Sequence, residues 1–234
     1  MPLLLAAIVA YVAGVALLLD AAPDLAQGIG YGPAQLGAVH LLGLAFLSVA
    51  IAGALMQLVP VLLRTRAVHP GVGAVAGWAL ALGAWALAVG LWRGVAMLTA
   101  VGGSIAVIGG AVMVVAILVA VARETREGYL SPAGVGIALA TGWFGVVLVL
   151  GLLMAGNLAH PFITMDLMRP IEAHGVAAIG GWIGGGILAL SLNLAPMFAL
   201  GLLLDVPGVA LAGAGWRRRW RICCWAWRRH WWCL

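Results

Sequence analysis

Long apolar runs constrain this chain more than any other feature of its sequence. Six runs of about 20 residues contain almost no charged side chain, and each could cross roughly 30 Å of hydrocarbon as an α-helix. Hydrophobic residues make up 65% of the 234 residues and charged residues 8%, which excludes a soluble globular protein. The sequence therefore predicts an all-α integral membrane protein with a six-helix membrane domain over residues 1–204. The predicted helices cover residues 3–19, 35–63, 72–92, 95–122, 133–155 and 173–204.

The charged residues lie between these runs and in the C-terminal tail. The formal net charge of +5 comes from arginines in those places, which is typical of membrane topology and does not indicate a nucleic-acid partner. The loops after helices 2 and 4 hold two arginines each, whereas the loops after helices 1, 3 and 5 hold none or one. We therefore expect a multi-pass protein of a bacterial inner membrane, in contact with the lipid bilayer, with both termini in the cytoplasm.

One stretch of about 20 residues occurs twice, and each copy opens with a histidine. The copies begin at His40 and His174, which are 134 positions apart, and each ends with a side-chain amide three residues before a proline. Because four predicted helices lie within one period, the two copies cross the membrane in the same direction. The sequence therefore predicts a parallel four-helix repeat.

A membrane helix that opens with histidine, has glycine in its middle and ends in amide-x-x-Pro resembles helix two of haem-copper oxidase subunit I. The chain is also similar to the NnrS family of haem-containing membrane proteins. The resemblance covers residues 40–63 and 174–200. It implies that the six helices correspond to the first half of a twelve-helix fold. It also implies that His40 is an axial ligand of haem b and that His174 is a copper ligand.

The chain departs from the oxidase pattern around its second histidine. Ala178 stands four residues after His174, where the oxidase pattern has a tyrosine. Neither paired histidines on a seventh helix nor a tenth helix with a haem-ligand pair is present in the sequence. As given, the chain is therefore not expected to reduce oxygen by the oxidase mechanism, and the sequence leaves open whether it is an enzyme.

The two histidines carry chemical information apart from any resemblance. A polar ring within a membrane helix is costly and usually faces a partner, a cavity or a cofactor. Neutral imidazole is a common ligand of haem iron. Gly43 lies one turn from His40 and Gly181 two turns from His174, which would leave room for a flat macrocycle. We therefore predict His40 and His174 as cofactor ligands, the alternative being that each ring hydrogen-bonds to a neighbouring helix.

Thioether and imidazole side chains around the loop between helices 5 and 6 suggest copper as a second, weaker prediction. The predicted metal ligands are His174 and His160, and three methionines lie near them in the sequence: Met154, Met165 and Met168.

Small and aromatic residues predict how the helices pack. Glycines 102, 103, 109 and 110 of helix 4 and glycines 180, 181, 184, 185 and 186 of helix 6 favour close helix contacts. Trp78, Trp85 and Trp92 recur every seven residues and predict one aromatic stripe along helix 3, in contact with lipid or with other helices.

Residues 205–234 form a basic tail rich in tryptophan, arginine and cysteine. From residue 216 onwards it holds six of the 11 tryptophans, six of the 12 arginines and all three cysteines. One interpretation is an interfacial anchor on anionic lipid. The other is a shifted reading frame of a GC-rich gene, which would make the chain a truncated member of the resembling family.

Two functions follow from the sequence. The first is a haem-binding membrane protein with a redox or gas-ligand role, which could need a second copy or another membrane subunit to complete its site. The alternative is a non-catalytic membrane protein, either a small transporter or an assembly factor, with structural histidines.

Overall fold

The computed structural model describes residues 2–63, 65, 69–126, 131–163 and 168–192. Over these ranges the chain is helical without strands, and six helices are long and apolar enough to cross a membrane. The predicted class, an all-α multi-pass membrane protein, is confirmed. The six helices are α1 Pro2–Asp20, α2 Pro33–Leu62, α3 Gly71–Arg93, α4 Ala96–Glu124, α5 Pro132–Ala159 and α6 Met168–Leu192.

The chain divides into two units, Met1–Ser191 and Leu192–Leu234. The predicted end of the membrane domain at residue 204, the second amide-proline pair and the basic tail all lie outside the described residues.

Neither histidine of the repeat opens its helix. α2 begins at Pro33 and α6 at Met168, so His40 and His174 each lie about two turns inside a membrane-spanning helix. The start of α6 is five residues earlier than predicted, because Arg169 and Glu172 lie in the first turns of the helix.

α5 continues four residues beyond its predicted end because Asn157 closes its last turn. The side-chain Oδ1 of Asn157 accepts hydrogen bonds from the backbone N–H groups of Phe162 and Ile163, at 2.8 and 2.7 Å. A buried amide acceptor thus satisfies backbone donors just after the helix. Asn157 therefore stabilises the end of α5.

α3 and α4 pack along each other through glycines, as the glycine pattern of helix 4 predicts. A Cβ at Gly102 would collide with the backbone of Ala86 and Leu87 on α3, and a Cβ at Gly83 would collide with the backbone of Ala106 on α4. Glycine allows this approach because it has no side chain between the two backbones.

α2 and α6 share an unusual backbone feature. Each contains eight residues of π-helix shortly after its histidine: Leu41–Ser48 in α2 and Ala177–Gly184 in α6. π-Helical turns are rare and occur often at functional sites. The two segments occupy nearly the same position in the predicted repeat, which directs attention to the space between these two helices.

Candidate functional site

The structure brings the two repeat histidines together. The ring centroids of His40 and His174 are 6.4 Å apart, and the ring planes are inclined by only 19°. For comparison, Phe144 and Trp182 stack in direct contact with centroids 4.2 Å apart and an angle of 16°. The histidine rings are therefore nearly parallel but about 2 Å farther apart than a contact stack in the same molecule.

The tautomer of His40 follows from its position in α2. Nδ1 lies 2.8 Å from the carbonyl oxygen of Leu36, one turn earlier in the helix. A carbonyl can only accept, so Nδ1 carries the proton and donates it in this hydrogen bond. The lone pair of the neutral ring is then on Nε2, which is the arrangement found when a backbone carbonyl orients a metal-ligating histidine.

His174 is held by packing more than by hydrogen bonding. A Cβ at Gly151 of α5 would lie 3.2 Å from Cε1 of His174, so the imidazole rests on the backbone of that helix. Nδ1 of His174 is buried and has no well-aligned hydrogen-bond partner, but the ring makes a weak hydrogen-bonding contact with the backbone of Val147 on α5.

A second contact joins α2 to α6 farther along the two helices. The indole Nε1 of Trp182 donates a hydrogen bond of 2.9 Å to Ser48 Oγ, and the Ser48 hydroxyl donates one of 2.8 Å to the carbonyl of Gly43. Trp182 and Ser48 are 1% and 3% exposed, so this chain of hydrogen bonds is shielded from lipid. Like the two histidines, Ser48 and Trp182 are 134 positions apart.

The two glycines predicted to make room beside the histidines differ. A Cβ at Gly43 would meet no atom within 4 Å, so space is open there, one turn from His40. Gly181 instead lies against Trp143 of α5, where a Cβ would come within 2.6 Å of the indole. Gly181 therefore serves helix packing, as the glycine pattern of helix 6 predicts, and Gly151, which no sequence signal singled out, is the glycine that contacts His174.

His160 lies in a different environment from the histidine pair. It is the exposed residue that follows the last turn of α5, and its backbone N–H donates a 2.8 Å hydrogen bond to the carbonyl of Gly156. Within the described ranges, no three His, Cys, Asp or Glu side chains lie close enough together to hold a metal ion. Met165 falls outside these ranges. Copper binding by His174 and His160 stays a prediction.

The tryptophan stripe of α3 borders an apolar cleft. Trp85 and Trp92 line a cleft of about 340 Å³ together with Leu41 of α2 and residues of α1 that include Asp20. Trp92 also carries the Arg93 guanidinium over its ring, 4.2 Å from the centroid. The stripe therefore packs partly between helices, whereas Trp78 is 37% exposed.

The fold and the site define a class of protein: a helical membrane protein with six candidate spans among the described residues and with two histidine rings close together on α2 and α6. Comparison with known proteins found no matching family model, no matching curated relative and no matching solved structure.

Proposed function

We propose that this chain is a haem-binding membrane protein in which His40 and His174 would hold the haem iron and whose role is electron transfer. The observation that carries the proposal is the 6.4 Å separation of the two nearly parallel imidazoles. The sequence-based resemblance to haem-copper oxidase subunit I and the NnrS family agrees with a haem but assigned copper to His174. The short distance between the two rings favours one haem held by both histidines over separate haem and copper sites.

The separation fits two ligands of one metal centre. An imidazole nitrogen binds a metal at about 2.0–2.1 Å, and ring bonds of about 1.33 Å put each nitrogen about 1.1 Å from its ring centre. One ion bound by a nitrogen of each ring therefore allows ring centroids up to about 6.4 Å apart. The centroids of the His40 and His174 rings are 6.4 Å apart in a stacked arrangement, so the separation would fit, and the rings would turn to direct both nitrogens at the iron.

Two features of the chain would favour such a pair as haem ligands. The Leu36 carbonyl fixes the Nδ1–H tautomer of His40 and leaves Nε2 free to bind. Two protein ligands are the number that haem iron accepts, because the macrocycle supplies the other four.

Two protein ligands also favour electron transfer over gas binding. When bound, the haem would supply a one-electron redox couple. If His40 and His174 both held the iron, they would occupy the sites at which a gas molecule binds. The partners of such a protein are expected to be other membrane redox proteins. The arginine distribution predicts that the chain lies in a bacterial inner membrane with both of its termini in the cytoplasm.

The test is an optical spectrum of the full chain, purified in detergent from cells supplied with haem, in oxidised and dithionite-reduced forms. We expect a Soret band in the wild type that is lost, or shifted to a form that binds carbon monoxide, in His40→Ala and in His174→Ala. His160→Ala and His69→Ala are matched controls, since both remove an exposed histidine, and they should leave the spectrum unchanged.

A colourless wild-type protein would contradict the proposal and favour the non-catalytic alternative, a small transporter or assembly factor. Loss of colour in His40→Ala alone would show that His174 is not a ligand. Stoichiometric copper that disappears in His160→Ala would instead support the copper prediction.

A further inference from the structure

We propose that Ser48 and Trp182 are positioning residues, whose hydrogen bond sets the distance between His40 and His174 and so keeps both histidines on the metal. The expected effect on haem rests on the proposed function. The hydrogen bond is also proposed to set the distance between positions 40 and 174 in the protein without haem. The two residues contact no cofactor themselves.

The first observation is one of symmetry. His40 faces His174 and Ser48 bonds to Trp182, and in both pairs the partners are equivalent positions of the repeat, 134 residues apart. Contacts between equivalent positions occur when two parallel helices pack in register, as at the a and d positions of a parallel coiled coil. α2 and α6 therefore meet at two levels of one interface, eight residues apart.

The second observation explains how His40 and Ser48 can both lie on the face of α2 that contacts α6, and His174 and Trp182 on the facing side of α6. In an α-helix, successive residues turn by about 100°, so two residues eight positions apart point about 80° away from each other. A π-helix takes more residues for each turn, which brings such residues closer to the same face. Leu41–Ser48 lies within this interval in α2, and Ala177–Gly184 covers most of the corresponding interval in α6.

The third observation is that the Ser48–Trp182 contact is fixed by neighbouring groups on both helices. The Trp182 indole is stacked on Phe144 of α5, 4.2 Å between centroids, and its Nε1 has one direction in which to donate. Ser48 Oγ accepts that bond and donates to the Gly43 carbonyl, five residues earlier. The hydroxyl thus ties the position of the indole to the π-helical turn that starts beside His40, and α6 cannot slide along α2 without breaking it.

The test uses haem-loaded full-length protein with Ser48→Ala, Trp182→Phe and Ser48→Thr. The first variant removes the acceptor, the second removes the donor but keeps an aromatic ring on Phe144, and the third keeps the hydroxyl. Ser104→Ala is the matched control, because Ser104 Oγ donates only to its own helix, at 2.8 Å to Ala100, and is exposed.

We expect Ser48→Ala and Trp182→Phe to bind carbon monoxide in the reduced state, to shift in midpoint potential and to hold haem about tenfold less tightly, as for other groups that orient metal ligands. Ser48→Thr and Ser104→Ala should resemble the wild type. Unchanged haem affinity and carbon monoxide reactivity in both disrupted variants would overturn the proposal.

A second measurement separates this inference from the proposed function, because it needs no haem. His40→Cys and His174→Cys are combined after the tail cysteines are replaced (Cys223→Ser, Cys224→Ser, Cys233→Ser), and mercuric ion is added to bridge the introduced thiols. Protection from maleimide labelling reports the bridge. Protection that is lost when Ser48→Ala is added supports the positioning role even in a colourless protein, and protection that persists contradicts it.

Discussion

The imidazole of His174 lies directly against the backbone of Gly151, where a Cβ would come within 3.2 Å of Cε1. This contact joins α6 to α5 at the level of the histidine pair. The position of the proposed ligand His174 therefore depends on the absence of a side chain at Gly151.

Gly151→Ala is expected to displace the His174 ring and to weaken haem retention by about tenfold, within the range seen when groups around a metal ligand are altered. Gly142→Ala is the control on the same helix, since a Cβ there would meet no atom within 4 Å. The measurement is a haem titration of each purified variant. Equal affinities for the two variants would show that the contact does not position the ring.

Gly43→Ala is expected to have opposite effects on the protein with and without cofactor. The space beside Gly43 is open, so alanine fits and stabilises the helix by up to about 1 kcal/mol. If that space receives the macrocycle, haem retention falls at the same time. Gly53→Ala, at an equally open site elsewhere on α2, should raise the stability of the protein without lowering haem retention. Thermal unfolding and haem titration of both variants check this, and a Gly43→Ala protein with normal haem content would contradict it.

Gly102→Ala is expected to lower the stability of the membrane domain. Its Cβ would collide with the backbone of α3, and overpacking of this kind costs about 1–3 kcal/mol. Gly145→Ala is the matched control, because its Cβ would lie 4.0 Å from the nearest side chain, that of Val114. The midpoint of thermal unfolding in detergent should fall for the first variant only. A fall of the same size in both would mean that close packing of α3 on α4 is not the cause.

Ser131→Ala is expected to weaken the start of α5. Ser131 Oγ accepts a 3.0 Å hydrogen bond from the backbone N–H of Gly134, and loss of such a cap costs about 0.5–2 kcal/mol. Ser131→Asp keeps an acceptor and should retain most of the stability. Comparison of the two unfolding midpoints tests the assignment, which fails if serine, alanine and aspartate give the same value.

The sequence by itself determined the number and order of the spans, because an apolar run long enough to cross a membrane is a local property that no distant contact can cancel. It also indicated a repeat in which His40 and His174 are equivalent positions, but it did not predict that the two rings meet. Close packing of α3 on α4 was predictable for the same local reason, since glycines without side chains permit it.

Only the tertiary structure decided how each helix is rotated and therefore which side chains meet. Gly181 looked equivalent to Gly43 in its relation to a histidine, yet it lies under Trp143, while Gly151 contacts His174. The hydrogen bond from Trp182 to Ser48 could not be read from α-helical periodicity, because the π-helical turns of α2 and α6 change which residues share a face. Contacts between residues 134 positions apart depend on that rotation, and rotation is set by the packing of the whole bundle.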